Sequence, residues 1–181
     1  MPMPKKIQRR SIPTDIFLEG LPEFLSRIYL ARGISSLSDL DLSLNQLHTN
    51  DAIKGLDKAV ELLIDAIINR HKILIVGDFD CDGATSTALA ILFLKELKAD
   101  CQFLVPNRFE YGYGLTSEIV DLASMDKPHL IVTVDNGISS IEGVNRAKQL
   151  GIKVLITDHH LPGDVLPEAD AIVNPNQPGC E

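Results

Sequence analysis

Cysteine is scarce: Cys81, Cys101 and Cys180 are odd in number, far apart and without a Cys-x-x-Cys pair. That argues against a disulfide framework or a thiolate zinc site, and it fits a reducing, cytoplasmic setting. Positive charge is also short, with 17 Lys and Arg against 25 Asp and Glu and a formal net charge of −8. A surface that grips nucleic acid through its own field normally leaves a basic footprint, so any such partner would need metal ions to supply positive charge locally. Long apolar runs are missing too. The longest, Ala88–Leu94, is far below the roughly 20 residues that span a bilayer, and no apolar stretch follows the basic N-terminus of Lys5, Lys6, Arg9 and Arg10. No membrane association is expected. The sequence contains neither an internal repeat nor a low-complexity tract.

What is present is a chain with 45% hydrophobic residues, enough for a sizeable core. Residues 1 to about 20 lack periodicity and read as an arm. Leu21, Phe24, Leu25, Ile28 and Tyr29 recur at helical spacing up to Gly33, and Leu56, Ala59, Val60, Leu63 and Ile67 mark a second helix. Between them, "SSLSDLDLSLNQL" reads as loop or short helix. From Lys72 strands alternate with helices: strands at Ile73–Val76, Cys101–Val105, Leu130–Val134, Val154–Ile156 and Ala171–Val173, and helices at Ala84–Leu97, Leu115–Met125 and Ile138–Leu150. The helix at Ala84–Leu97 is apolar nearly all round and is expected to be buried. This rhythm predicts an α/β fold, a parallel doubly wound sheet in residues 71–181, preceded by a small helical N-terminal segment in residues 1–70. The sequence stops at "IVNPNQPGCE" with no covering helix after the last strand, so a fragment, truncated on its C-terminal side, is expected.

Three strands end in acidic punctuation: Val76 leads into "GDFDCDG", Val134 into "DNGIS" and Ile156 into "TDHH". In an open parallel sheet these ends share one edge, where such folds place their ligand crevice. Taken singly, Asp82-Gly83 and Asp135-Asn136-Gly137 read equally well as turns or helix caps, and His159-His160 as structural histidines. Together they imply converging negative charge that needs a counter-charge. Carboxylates with imidazole and no thiolate pair favour Mn²⁺ or Mg²⁺, and the number of ligands suits a two-metal centre. His48, His71 and His129 lack such neighbours and are read as structural. Two competitors fit less well. "DFDCDG" opens like an EF-hand loop, but its twelfth position is Leu89 rather than Glu and a strand precedes it. A haloacid-dehalogenase-type phosphatase would explain Asp78 and Asp80 but not the paired histidines.

The stretches "VGDFDCDGATSTALA", "VPNRFEYGYGLTSEIVD", "IVTVDNGISS" and "ITDHHLPGDVLPEADAIVNPN" resemble the DHH phosphoesterase superfamily over almost the whole chain. Within it, the "NRFEYGYGL" piece points to the exonucleases that degrade single-stranded DNA from the 5′ end in repair and recombination. Carried over by position, the resemblance implies that Asp80, Asp82, Asp135 and His159 bind two Mn²⁺ or Mg²⁺ ions, with Asp135 shared between them, that Asp78 is a further ligand or supports one, and that His160 binds metal or faces the scissile phosphate. Asp135, His159 and His160 would be catalytic, Asp158 would orient the histidines, and Asn107 and Arg108 would hold the substrate phosphate. Single-stranded DNA and proteins of recombination and repair are the implied partners. Most of the family's length would lie beyond Glu181, so weak activity and weak DNA affinity are expected of this chain alone. A small-substrate member, oligoribonuclease-like or pyrophosphatase-like, and a non-catalytic binding module stay open, although Val76 stands where the pyrophosphatases carry His.

Overall fold

The structure is a computed structural model that describes residues 6, 8–13, 16–47, 49 and 52–180; Lys5, His48 and Glu181 lie outside the described residues. It divides into two compact units, Met1–His48 and Thr49–Glu181. In the first, helix α1 (Glu23–Leu30) is followed by two short 3₁₀ turns, Leu37–Leu40 and Leu44–Gln46. Leu18 and Leu30 are buried there, and the Ser26 hydroxyl accepts the Leu18 amide at 3.3 Å. Phe24 and Ile28, expected on the buried stripe of α1, are exposed.

The second unit is built on a five-stranded sheet whose neighbours are all parallel, in the order β2-β1-β3-β4-β5. The strands are β1 (Ile73–Gly77), β2 (Cys101–Leu104), β3 (Leu130–Val134), β4 (Lys153–Thr157) and β5 (Ala171–Val173). Helices α2 (Leu56–Ile68) and α3 (Cys81–Glu96) cover one face, and α5 (Ser117–Ser124) and α6 (Ile141–Gln149) cover the other. Between β2 and α5 lies a single turn, α4 (Arg108–Tyr111). Apart from Gly77, β1 and β3 are continuous runs of β-branched and leucine residues, and both are buried throughout as strands covered on both faces must be. Alternate residues serve the two cores: Leu74, Val76 and Ile131 pack against α5 and α6, while Ile73, Ile75 and Leu130 pack against α2 and α3. Among the described residues, no helix is long and apolar enough to cross a membrane.

Two expectations are corrected. Helix α2 buries Ala59, Leu62 and Ala66 in the sheet's core, so the boundary expected near residue 70 falls at Thr49. Helix α3 is not buried all round. It touches the sheet through Gly83, Thr87 and Leu94, while Leu89, Leu92 and Phe93 are exposed on its outer side, because a helix lying on a sheet can bury only the stripe that faces it.

Candidate metal centre

Strand register builds the site. Gly77 pairs with Val134 and Val134 with Thr157, and Thr157 pairs with Val173. The next residue of each strand therefore forms a level row across four adjacent strands: Asp78, Asp135, Asp158 and Asn174. The ladder continues into this row, since the Asp135 amide donates to the Thr157 carbonyl at 3.0 Å and the Asp158 amide to the Val173 carbonyl at 3.1 Å. Strand order reverses between β1 and β3, so Asp78 and Asp135 flank the topological switch point, where open α/β sheets bind ligands.

Asp78, Asp80 and Asp135 offer ligand atoms all within 4.8 Å of one another, and so do Asp135, His159 and His160. Asp135 belongs to both groups. It is buried, takes a left-handed φ of +62°, and accepts or shares a hydrogen bond with His159 Nε2 at 2.8 Å. A non-glycine residue held there is uncommon, although Asp tolerates it better than most, and such outliers gather at functional sites. Burial raises the Asp135 carboxyl above its ordinary range and the facing Asp80 carboxyl adds to this, opposed by the His159 ring. Asp80 is held low, first by the Gly83 amide, which its side chain accepts at 3.1 Å as the cap of α3. Crowded carboxylates of oxygen-donor type, completed by imidazole, fit a pair of hard divalent cations, which would relieve the repulsion that pushes Asp135 up. Asp82 stands outside both groups, on the edge of the adjoining cleft with Asp135 and His159.

Glycine makes the close approach of α3 possible. A Cβ at Gly83 would lie 2.4 Å from the Asp78 carbonyl oxygen, so only glycine lets the first turn of α3 bring Asp80 against the end of β1.

Asp158 organises the other side. Its Oδ2 accepts the Ile138 amide at 2.9 Å, and its Oδ1 accepts the His159 amide at 2.7 Å and the His160 amide at 3.1 Å and bonds His160 Nδ1 at 2.7 Å. Burial pushes this carboxyl up, but those hydrogen bonds outweigh it and hold Asp158 below the usual carboxylate range. The Asp158 hydrogen bond also raises the His160 ring above its ordinary value.

Arg108 reaches back from α4 to pair with Asp78, its guanidinium over the Phe79 ring at 4.4 Å and the Tyr113 ring at 4.8 Å. Asn107 instead caps α4, its side chain accepting the Phe109 amide at 3.1 Å. The histidines meant as structural lie elsewhere: His71 and His129 stack on each other at 4.3 Å, each just ahead of a strand start.

Four residues were not singled out from the sequence. Asn136 donates to the Val76 and Val134 carbonyls at 3.1 and 2.9 Å, tying β1 to β3 beneath the site. Asn174 donates to the His160 carbonyl at 2.9 Å and Asn176 to the His159 carbonyl, so "NPN" after β5 clamps the histidine backbone. Tyr113 places its hydroxyl 3.2 Å from His160 Nδ1, and burial with the charges of Asp158, Asp78 and Asp135 pushes the phenol up to about 12. A small polar residue just beyond a strand, one step after β5 for Asn174 and two steps after β3 for Asn136, was the available signal; nothing short of the fold shows Tyr113 meeting His160.

The family model for the DHH family, N-terminal domain, matches residues 72–181. The single-stranded-DNA-specific exonuclease RecJ of Salmonella typhimurium is 49% identical over 183 residues, covering 100% of this chain and 32% of that protein. Among solved structures, exonuclease RecJ bound to manganese matches with a TM-score of 0.65 at 36% identity, over 70% of this chain and 32% of its own. RecJ from Thermus thermophilus in complex with Mn²⁺ matches with a TM-score of 0.63 at 32% identity, over 84% and 21% respectively. The chain thus spans about a third of the length of the curated relatives it matches.

Proposed function

The chain belongs to the DHH family, and we propose that it is the metal-binding part of a 5′→3′ exonuclease that hydrolyses phosphodiester bonds of single-stranded DNA in repair and recombination, in the cytoplasm. The observation that carries this reading is the level row of Asp78, Asp135 and Asp158 with two ligand clusters meeting at Asp135. The relatives' names and their manganese-bound structures support it.

In this reading Asp78, Asp80, Asp82, Asp135, His159 and His160 would hold two Mn²⁺ or Mg²⁺ ions, Asp135 belonging to both ligand groups. When bound, such a pair activates water at neutral pH and offsets charge on the attacking and leaving oxygens. The chain's own groups do the rest. Asp158 fixes the orientation of the His160 ring through its Nδ1 bond. With Nδ1 bound to Asp158, His160 has Nε2 to offer the metal or the phosphate. Arg108, pinned between two rings, exchanges Asp78 for a phosphate oxygen once cations satisfy that carboxylate, with Asn107 beside it.

The test is nucleotide release from 5′-phosphorylated single-stranded DNA in Mn²⁺, compared with pyrophosphate and dinucleotides, using a polypeptide of the relatives' full length. Preferential release from the DNA 5′ end is expected. Faster turnover of pyrophosphate or dinucleotides would move the protein to a small-substrate branch.

A further inference from the structure

The first unit carries a charged feature of the opposite sign. The arm ahead of α1 runs back against the end of that helix, where Arg10 Nη1 donates to the Ala31 carbonyl at 3.4 Å. Between arm and helix lies a groove of about 530 Å³. Its apolar wall is Ile12 from the arm with Phe24 and Ile28 from α1, and the two α1 residues are open to solvent, Phe24 by 64% and Ile28 by 44%. Arg9, Arg10, Arg27 and Arg32 supply the rest. Four of the chain's 17 Lys and Arg thus face one small space. None of its described lining residues is acidic, and among the described residues no carboxylate comes within 4.0 Å of any of the four guanidinium groups.

We propose that this groove binds a free nucleoside polyphosphate, its phosphates among the arginines and its base against Phe24. Guanidinium groups crowded without a counter-charge repel one another, so a polyanion between them stabilises the arrangement. All four cations are Arg rather than Lys, and the planar fork matches phosphate oxygens two at a time. The volume falls in the range of roughly 300–1,000 Å³ common for small-molecule sites. An open aromatic ring extended by two isoleucines gives a base a flat apolar surface to stack on. Other anions fit less of this. Inorganic polyphosphate leaves the apolar wall uncovered. A nucleic-acid strand carries one phosphate per nucleotide, too sparse a charge for four arginines around so small a space. An acidic peptide must be ordered over several residues to bring as many charges, which weakens its binding. The groove lies wholly within residues 9–32, so the proposal stands apart from the metal centre and from the phosphoesterase reading.

The experiment is calorimetric titration of this chain in metal-free buffer, which keeps the acidic centre from binding phosphate through cations. The probes are guanosine 5′-triphosphate, inorganic tripolyphosphate, a short oligothymidylate and a glutamate-rich peptide. The nucleotide is expected to bind about tenfold tighter than tripolyphosphate, the size that stacking on one aromatic ring gives, and both affinities should fall as salt is raised. Two variants test the location. Arg27→Ala is expected to weaken nucleotide and tripolyphosphate alike by about tenfold, as loss of a charge-assisted contact does. Phe24→Ala is expected to weaken the nucleotide alone, down to the level of tripolyphosphate. Both side chains are exposed, so far-ultraviolet circular dichroism should not change. Absence of nucleotide binding, an affinity that both variants leave intact, or tighter binding of the oligothymidylate or the peptide than of the nucleotide would overturn the proposal.

Discussion

Asp158 is expected to hold the histidine side of the site in place before any metal arrives, and Asp158→Asn tests this directly. The carboxylate accepts from three backbone amides and bonds one imidazole. An asparagine of the same shape has a single acceptor oxygen. If that oxygen serves the His159 and His160 donors, the new NH₂ group faces the Ile138 amide, which is buried. An orphaned buried donor costs about 1–3 kcal/mol, and the remaining bonds lose their charge assistance, roughly halving them. Taken together at about 3 kcal/mol, the loss lowers Tm by roughly 6–12 °C for a chain of this size. The assay is thermal unfolding followed by circular dichroism at pH 7 in chelator. Acidification supplies the second arm. The folded-state carboxyl lies below its ordinary value, so its contribution is fully present above the unfolded pKa of about 4 and disappears as pH falls through the folded one. The difference between the two proteins should therefore shrink below about pH 4. A Tm change under about 2 °C at pH 7, or a difference that widens on acidification, would refute the role given to Asp158.

Asp135→Ala should abolish tight binding of both ions in a Mn²⁺ titration, because that carboxylate belongs to both ligand clusters; loss of one ion alone would show that it is not shared. Gly83→Ala forces a methyl group to within 2.4 Å of the Asp78 carbonyl oxygen, so α3 must move and stability should fall by about 1–3 kcal/mol, with weaker Mn²⁺ binding; an unchanged Tm and isotherm would contradict the close packing. Arg108→Ala removes a cation that competes for Asp78, so Mn²⁺ should bind several-fold tighter while methyl phosphate binds more weakly. A fall in both affinities would contradict the proposed exchange of Asp78 for substrate.

Much of this was legible in the residues. The β-branched runs at Ile73, Leu130 and Val154 marked the sheet, and the acidic residues after each run fall on one edge of it, because a parallel strand's exit always lies on one side. Helix α3 was misjudged for a physical reason: composition records how apolar a helix is, not how many neighbours are available to cover it. Asn107 and Arg108, expected to hold phosphate, have partners that the sequence does not show: one side chain caps its own helix and the other pairs with Asp78, contacts that depend on distances of a few ångströms.

The order of polar and apolar residues along the chain, by itself, determined the alternation of strand and helix and the placing of Asp78, Asp135 and Asp158 one step beyond their strands. Hydrophobic periodicity and turn chemistry are local, so a linear reading reaches them. Only the tertiary structure decided that β1, β3 and β4 lie side by side in register, that Asp135 sits in both clusters, and that Tyr113 meets His160 across 47 positions. Those contacts arise from strand order and packing, which bring together residues whose sequence separation carries no trace of their nearness.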